Sequence, residues 1–241
     1  MDHLQRGNFV VMGDNMEISL NQNTYEQLKK DIMTLMLRPG DAISAAKIAE
    51  RYQVSRTPAR EAIVKLEKDG LVDIFPKSKT LISKINLDRA KQEWFVRRSL
   101  EISIVDDFMT GCTEETIDRL EQNLEVFSKS LYPIASYEYY MLDQEFHNII
   151  YEAAGQYWAE FIINSLITHY NRMRFIVGFT EDVRQKTYQE HQQIVAAAKN
   201  HDADLMRKTL DIHIQGTILK DMEMKQLFPK YFTTGNDWIV K

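Results

Sequence analysis

The stretch VSRTPAREAIVKLEKDGLV, Val54 to Val72, decides how this chain is read. Its apolar positions Ala59, Ala62, Ile63 and Leu66 recur at the three-to-four spacing of a helix with one buried stripe. Asp69-Gly70 stops the helix, glycine being the residue that most readily turns left-handed after a last turn. At the front, Thr57 is placed to accept from first-turn amides, and Pro58 sits where a helix needs no amide hydrogen. Arg56 and Arg60, four apart, stay off the stripe. Two guanidiniums on a first helical turn can pair with guanine O6 and N7 in a major groove, while Thr57 and the free amides suit a phosphate. An isolated arginine pair would read more simply as a solvated helix face, so the flanking sequence has to decide.

Upstream, TYEQLKKDIMTLML puts Tyr25, Leu28, Ile32 and Leu35 on one helical face, and Arg38-Pro39-Gly40-Asp41 breaks it. Ser44 is an N-cap for AAKIAERY, with Ile48, Ala49 and Tyr52 inward, and Gln53-Val54-Ser55 is the turn into the next helix. Downstream, Leu71–Phe75 and Thr80–Ser83 are strand-like runs around the basic turn Pro76-Lys77-Ser78-Lys79. Three helices and a hairpin make a winged helix-turn-helix. Lys77 and Lys79 at the wing tip would reach the DNA backbone or a neighbouring minor groove.

A net charge of −5 argues against a nucleic-acid binder until the chain is divided. Residues 24–85 hold 12 Lys/Arg against 8 Asp/Glu, whereas residues 86–241 hold 17 against 24. A basic head on an acidic body fits a protein in which one domain meets phosphates. Cys112 is the single cysteine of the 241 residues, which excludes an intrachain disulfide. The N-terminus lacks a signal-peptide pattern and no apolar run approaches a membrane span, so a cytoplasmic protein without a membrane partner is expected.

From Leu87 onward no strand signal recurs. Six helices are expected, at about 88–110, 113–129, 136–154, 156–177, 181–199 and 202–225, with short joints such as Thr110-Gly111 and Gly155. The expected fold is mainly α, a winged helix-turn-helix followed by an all-α antiparallel helical bundle. The divisions are residues 1–22, a loose arm; 23–85, the DNA-binding domain; 86–228, the bundle; and 229–241, an aromatic tail packing on the bundle or on a partner.

The bundle holds a second constellation. In MLDQEFHNIIYEAAG, Asp143 and His147 lie four apart on one helix face, and His191 and His213 follow in later helices with apolar flanks. One carboxylate and three imidazoles suit a divalent transition metal: zinc first, with nickel, cobalt or manganese as alternatives. Buried histidines with a carboxylate neighbour and no metal are the competing reading.

The run PGDAIS...IAERYQVSRTPAREAIVKLEKDGLV resembles the N-terminal domain of GntR-family bacterial transcription regulators over about residues 24–85. By that resemblance Arg56, Thr57 and Arg60 are the DNA readers. Two departures stand out: Ala45-Ala46 lack the charged residue often found at the start of the second helix, and Lys77-Ser78-Lys79-Thr80 replaces the usual Arg-Gly of the wing. The bundle is similar to the FCD effector domain of the fatty-acid-regulator branch. That family's Asp-x-x-x-His, Glu-His and third-His pattern is matched at Asp143, His147, His191 and His213, with spacings of 44 and 22 residues between the histidines. Arg97, in WFVRRSLE, approximates a family arginine that would attract a carboxylate effector, its alternative being a bridge to Glu101. His169, Arg172 and Arg174, in ITHYNRMR, would also line the cavity, with at least one of the arginines on a solvated face. Tyr137, Tyr139 and Tyr140 read as core or interface.

The resemblance implies a homodimeric regulator, a repressor on a palindromic operator of double-stranded DNA, controlled by a small organic or sugar acid at the metal. A metal sensor without an organic effector is one alternative. A metal-dependent hydrolase with a DNA-binding head is another, but neither Glu145 nor Glu190 is placed to act as its base.

Overall fold

The computed structural model describes residues 23–131 and 136–233, so the expected N-terminal arm and the tail beyond Thr233 lie outside the described residues. The chain divides into two compact units at Lys84/Ile85.

The described part of the first unit opens with helix α1, residues 23–33. Its apolar face buries Tyr25, Leu28 and Ile32, as the spacing predicts. The helix ends earlier than Arg38-Pro39 suggests, because Leu35 adopts the left-handed conformation at φ 58°. Helix α2, Ala45–Tyr52, is capped by the Ser44 side chain, which accepts from the Lys47 amide. Helix α3, Arg56–Lys68, starts one residue before Thr57; its N-cap is Ser55, so Thr57 lies inside the first turn and does not cap. Gly70 takes φ 74° and turns the chain into the sheet. Strands β1 (Ala42–Ile43), β2 (Val72–Phe75) and β3 (Lys79–Ile82) form an antiparallel sheet in the order β1-β3-β2. The two-residue β1 is too short to announce itself by alternation. Leu28, Ile48, Ala59, Ile63, Leu66, Leu71 and Ile82 form one core.

The second unit is helical among its described residues: α4 (Leu87–Ser103), α5 (Val105–Gly111), α6 (Glu114–Ser130), α7 (Ser136–Ala153), α8 (Tyr157–Ser165), α9 (His169–Val177), α10 (Glu181–Lys199), α11 (Ala203–Leu219) and α12 (Asp221–Leu227). Three of the six expected rods are therefore broken. At Ile104 a one-residue turn lets Ile104 and Val105 both pack inward. Between α8 and α9, the Asn171 side chain donates to Ile163 O at 3.0 Å and takes the place of a helical amide. At Lys220 the amide reaches back only to Thr217 O, a tighter turn that closes α11. Helix α4 packs on α9 and α11, α6 on α7 and α10, and α10 on α11, while α9 is buried along its whole length. Beyond α12, Phe232 is 1% exposed and Ile85 exchanges backbone hydrogen bonds with Tyr231 and Thr233, so the described part of the tail packs on its own unit.

Gly111 is the last residue of α5 rather than a free joint. A Cβ there would lie 2.0 Å from the carbonyl oxygen of Ala153 at the end of α7. Gly111→Ala should therefore cost about 1–3 kcal/mol of stability by overpacking; an unchanged urea midpoint would show that the α5–α7 approach is loose.

Candidate functional site

Helix α3 presents Arg56, Thr57, Arg60, Glu61, Val64, Lys65 and Lys68 as one exposed face, opposite its buried Ala59, Ala62, Ile63 and Leu66. The first-turn guanidiniums are thus free of the core, and Lys65 is fixed over the Tyr25 ring at 3.6 Å. In the wing, the Ser78 amide donates to Phe75 O at 3.0 Å and Lys77 takes φ 57° after Pro76, a type II turn in which lysine holds the position that favours glycine. Lys79 leans over the Phe75 ring at 5.4 Å.

In the second unit the fold brings Asp143 and His147 of α7, His191 of α10 and His213 of α11 to one point. One ligand atom from each lies within 4.8 Å of all the others. His147 Nε2 is 3.1 Å from His213 Nε2, and Asp143 Oδ1 is 3.3, 3.6 and 3.8 Å from the Nε2 atoms of His191, His213 and His147. A tetrahedral shell with ligand bonds of about 2.0–2.2 Å has edges of about 3.3–3.6 Å. The tautomers point the same way. His147 Nδ1 lies 2.7 Å from Glu101 Oε2, and His213 Nδ1 lies 3.1 Å from Glu190 Oε2. A carboxylate beside each Nδ1 favours the tautomer that leaves the lone pair on Nε2, and two Nε2 lone pairs 3.1 Å apart are an arrangement that a cation between them would satisfy. Asp143 Oδ1 and His191 Nε2 are buried and make no hydrogen bond of good geometry. The residues fit a metal ion.

Asp143 gives its other oxygen to Arg174 Nη2, and Arg174 Nη1 also donates to Gln144 Oε1 and Asn171 Oδ1. Burial alone would raise the Asp143 carboxyl; the Arg174 guanidinium and the imidazoles of His191, His147 and His213 together outweigh it, and the group is held well below the usual carboxylate range. Arg97 donates to Glu101 Oε1 at 2.5 Å, and Tyr151 donates to the same oxygen at 2.6 Å. Burial pushes His147 down to about 4 and His191 down to about 3, so both are neutral and available to ligate at physiological pH.

Beside the cluster is a cavity of about 170 Å³, lined by Arg97, Tyr139, Asp143, Tyr170, Arg174 and His213, with Lys186 and Lys220 among its other lining residues. Arg97 Nη2 is buried without a hydrogen-bond partner. Both readings of Arg97 thus apply to one side chain, since its Nε bridges Glu101 while a second nitrogen remains unused. His169 and Arg172, expected at the cavity, do not line it. His169 Nδ1 accepts the Asn86 amide at 3.0 Å at the start of α4, and Arg172, 0% exposed, contacts that same nitrogen. Burial, then the charges of Arg172 and Arg89, keep the His169 imidazole neutral. Arg174, 4% exposed, takes the role at the cavity, and neither arginine lies on a solvated face. Tyr139 and Tyr140 are core residues, and Tyr139 also borders the cavity.

Residues 20–82 match the family described as "Bacterial regulatory proteins, gntR family", and residues 94–216 match the FCD domain. The chain belongs to the GntR family and carries an FCD domain. It is 26% identical over 196 residues to the HTH-type transcriptional repressor RspR of Escherichia coli (strain K12), spanning 81% of this chain and 86% of that protein. E. coli McbR/YncC has the same fold, with a TM-score of 0.74 at 18% identity, covering 87% of this chain and 98% of that one. A GntR regulator from Rhodococcus sp. RHA1 gives a TM-score of 0.70 at 17% identity, covering 85% and 98%. This GntR protein is a transcription regulator with an effector domain, not an enzyme. The hydrolase alternative falls with that assignment, and Glu190 is engaged with His213 while Glu145 is exposed.

The sequence did not reveal Glu101 or Glu190 as partners of the histidines. Glu101 carries a faint signal, four residues from Arg97. Glu190 stands in the Glu-His pair of the family pattern, but its contact with His213 lies on another helix and has no local signal.

Neutral buried histidines make a pH prediction for the metal-free GntR chain. In the unfolded chain both imidazoles titrate near about 6.5. Below that value the unfolded state takes protons that the fold refuses, so stability is fully present above about 6.5 and is lost as pH falls toward about 4. Chelator-treated protein should be about 2 kcal/mol less stable at pH 5.5 than at 7.5 in urea titrations; equal midpoints would mean that the imidazoles are not held neutral.

Proposed function

We propose that the chain is a homodimeric repressor that binds a two-fold operator through residues 23–85 and is released by a small organic or sugar acid. Residues 86–228 would bind that acid and join the two copies. The observation that carries the effector reading is the unpartnered, buried Arg97 Nη2 in a 170 Å³ cavity that also exposes the Asp143-His213 cluster. A cavity of roughly 150 Å³ accommodates a six-carbon ring, so the ligand is small. A guanidinium with a free donor beside a metal calls for a carboxylate. This favours an organic acid over the bare ion as signal.

Zinc is the proposed ion, on the strength of three imidazoles and one carboxylate whose ligand atoms all lie within 4.8 Å of one another. It would act as a Lewis-acid anchor for the effector carboxylate. Arg97 would orient that carboxylate, while Glu101 and Glu190 would fix the histidine rings. FCD domains commonly bind metal, which supports the reading. GntR regulators bind operator DNA and typically act as dimers. Repression is proposed by analogy with RspR, whose name makes it a repressor.

Arg56, Thr57 and Arg60 are the proposed readers, with Lys77 and Lys79 on the backbone. Arg60→Ala should lower operator affinity by about 1–3 kcal/mol without loss of fold; unchanged binding in a footprinting titration would remove Arg60 from the readers. Elemental analysis of tag-free protein purified without chelator should give about one transition-metal equivalent per chain, and His191→Ala should abolish it while sparing basal DNA binding. If His191→Ala keeps its metal and responds normally to the acid, the ligand set is wrong.

A further inference from the structure

Helix α8, Tyr157–Ser165, is apolar on both sides. Its inner face buries Ala159 and Ile163, at 6% and 0% exposed. Its outer face leaves Tyr157 65%, Trp158 74% and Phe161 51% exposed, and Leu166 just beyond adds 56%. On a helical wheel Tyr157, Phe161 and Trp158 span about 100°. Trp158 and Phe161 are already packed edge to face, with centroids 5.4 Å apart. The one charged side chain in the nine residues is Glu160.

A helix that is hydrophobic all round belongs in an interior. Other exposed apolar residues, such as Phe95 on α4 or Met222 and Leu227 on α12, sit among charged neighbours and are ordinary surface. At about 150–250 Å² per aromatic side chain, the α8 exposures amount to roughly 450 Å². That is over half of the about 800 Å² that each partner contributes to a stable interface. A two-fold dimer brings the same patch against itself, so an apolar, nearly uncharged face is self-complementary without further matching.

We propose that the outer face of α8, centred on Trp158 and Phe161, is the surface on which a second copy of this chain docks. The proposal rests on the dimeric reading above and adds where the copies meet. The inner side of α8 gives that location a consequence. Asn164 donates to Asn148 Oδ1 at 3.1 Å and pairs with Gln144, whose Oε1 accepts from Arg174, the partner of Asp143. The docking helix is thus hydrogen-bonded, through three side chains, to a ligand of the candidate metal centre.

Sedimentation equilibrium on the full chain tests this. The wild type should be a dimer, and Trp158→Glu should raise its dissociation constant about thirtyfold or more with an unchanged circular-dichroism spectrum. In a second variant, Phe161→Cys in a Cys112→Ser background, mild oxidation should link two chains by a disulfide; this covers the case in which Trp158→Glu misfolds. A folded Trp158→Glu protein with the wild-type constant, or no cross-linked dimer from Phe161→Cys, overturns the assignment and leaves the dimeric reading standing. A wild type that is monomeric at concentrations of roughly 10 µM overturns both.

Discussion

Burying a carboxylate costs several kcal/mol unless its oxygens are fully partnered, and Asp143 is 4% exposed in the middle of the bundle. One oxygen is held by Arg174; the other faces His147, His191 and His213. Those two demands fix the positions of four helices at once, since the partners come from α7, α9, α10 and α11. Arg174 must be buried to reach Asp143, and once buried it needs Gln144 and Asn171 for its remaining hydrogens. Asn171 in turn takes the carbonyl of Ile163 and so separates α8 from α9. A single ionised side chain therefore dictates a helix break about twenty-five residues along the chain.

The same economy governs the imidazoles. Burial drives His147 and His191 toward the neutral form, and the carboxylates behind His147 and His213 favour the tautomer that leaves the Nε2 lone pair facing inward. Each element alone would be an unfavourable way to fill a core: a carboxylate, facing lone pairs, a guanidinium with an idle nitrogen. Together they form a pocket whose unmet hydrogen-bonding capacity points to a cation at the cluster and an anion beside Arg97.

What could be read from the sequence follows from how local each feature is. The winged helix was readable because its signals are short-range: the Ser44 cap, the stripe of α3 and the Gly70 stop all lie within a few residues of what they control. The four clustered residues were readable through a spacing pattern. The broken helices were not. Helix α9 buries Asn171, Arg172 and Arg174 along with its apolar residues, so its polar positions imitate a solvated face and no amphipathic period marks its ends. His169 was misplaced for a related reason. A histidine next to buried arginines resembles a site residue, yet its partner is the Asn86 amide, 83 positions away and invisible in any local window.

On the proposed reading, metal and acid would not bind this pocket independently. Arg97 holds Glu101, and Glu101 holds His147, so guanidinium, carboxylate and imidazole form one chain ending at the candidate metal ligand. An anion drawn to the idle nitrogen of Arg97 competes with Glu101 for the same positive charge. A Glu101 less neutralised by Arg97 is a stronger acceptor for His147 Nδ1–H, which makes Nε2 a better donor to a metal. An acid so bound would strengthen the ligand that anchors the ion, and linkage would then require the ion to strengthen binding of the acid by the same factor. On that reading the pocket would sense the pair, with Arg97 as the residue through which each ligand feels the other.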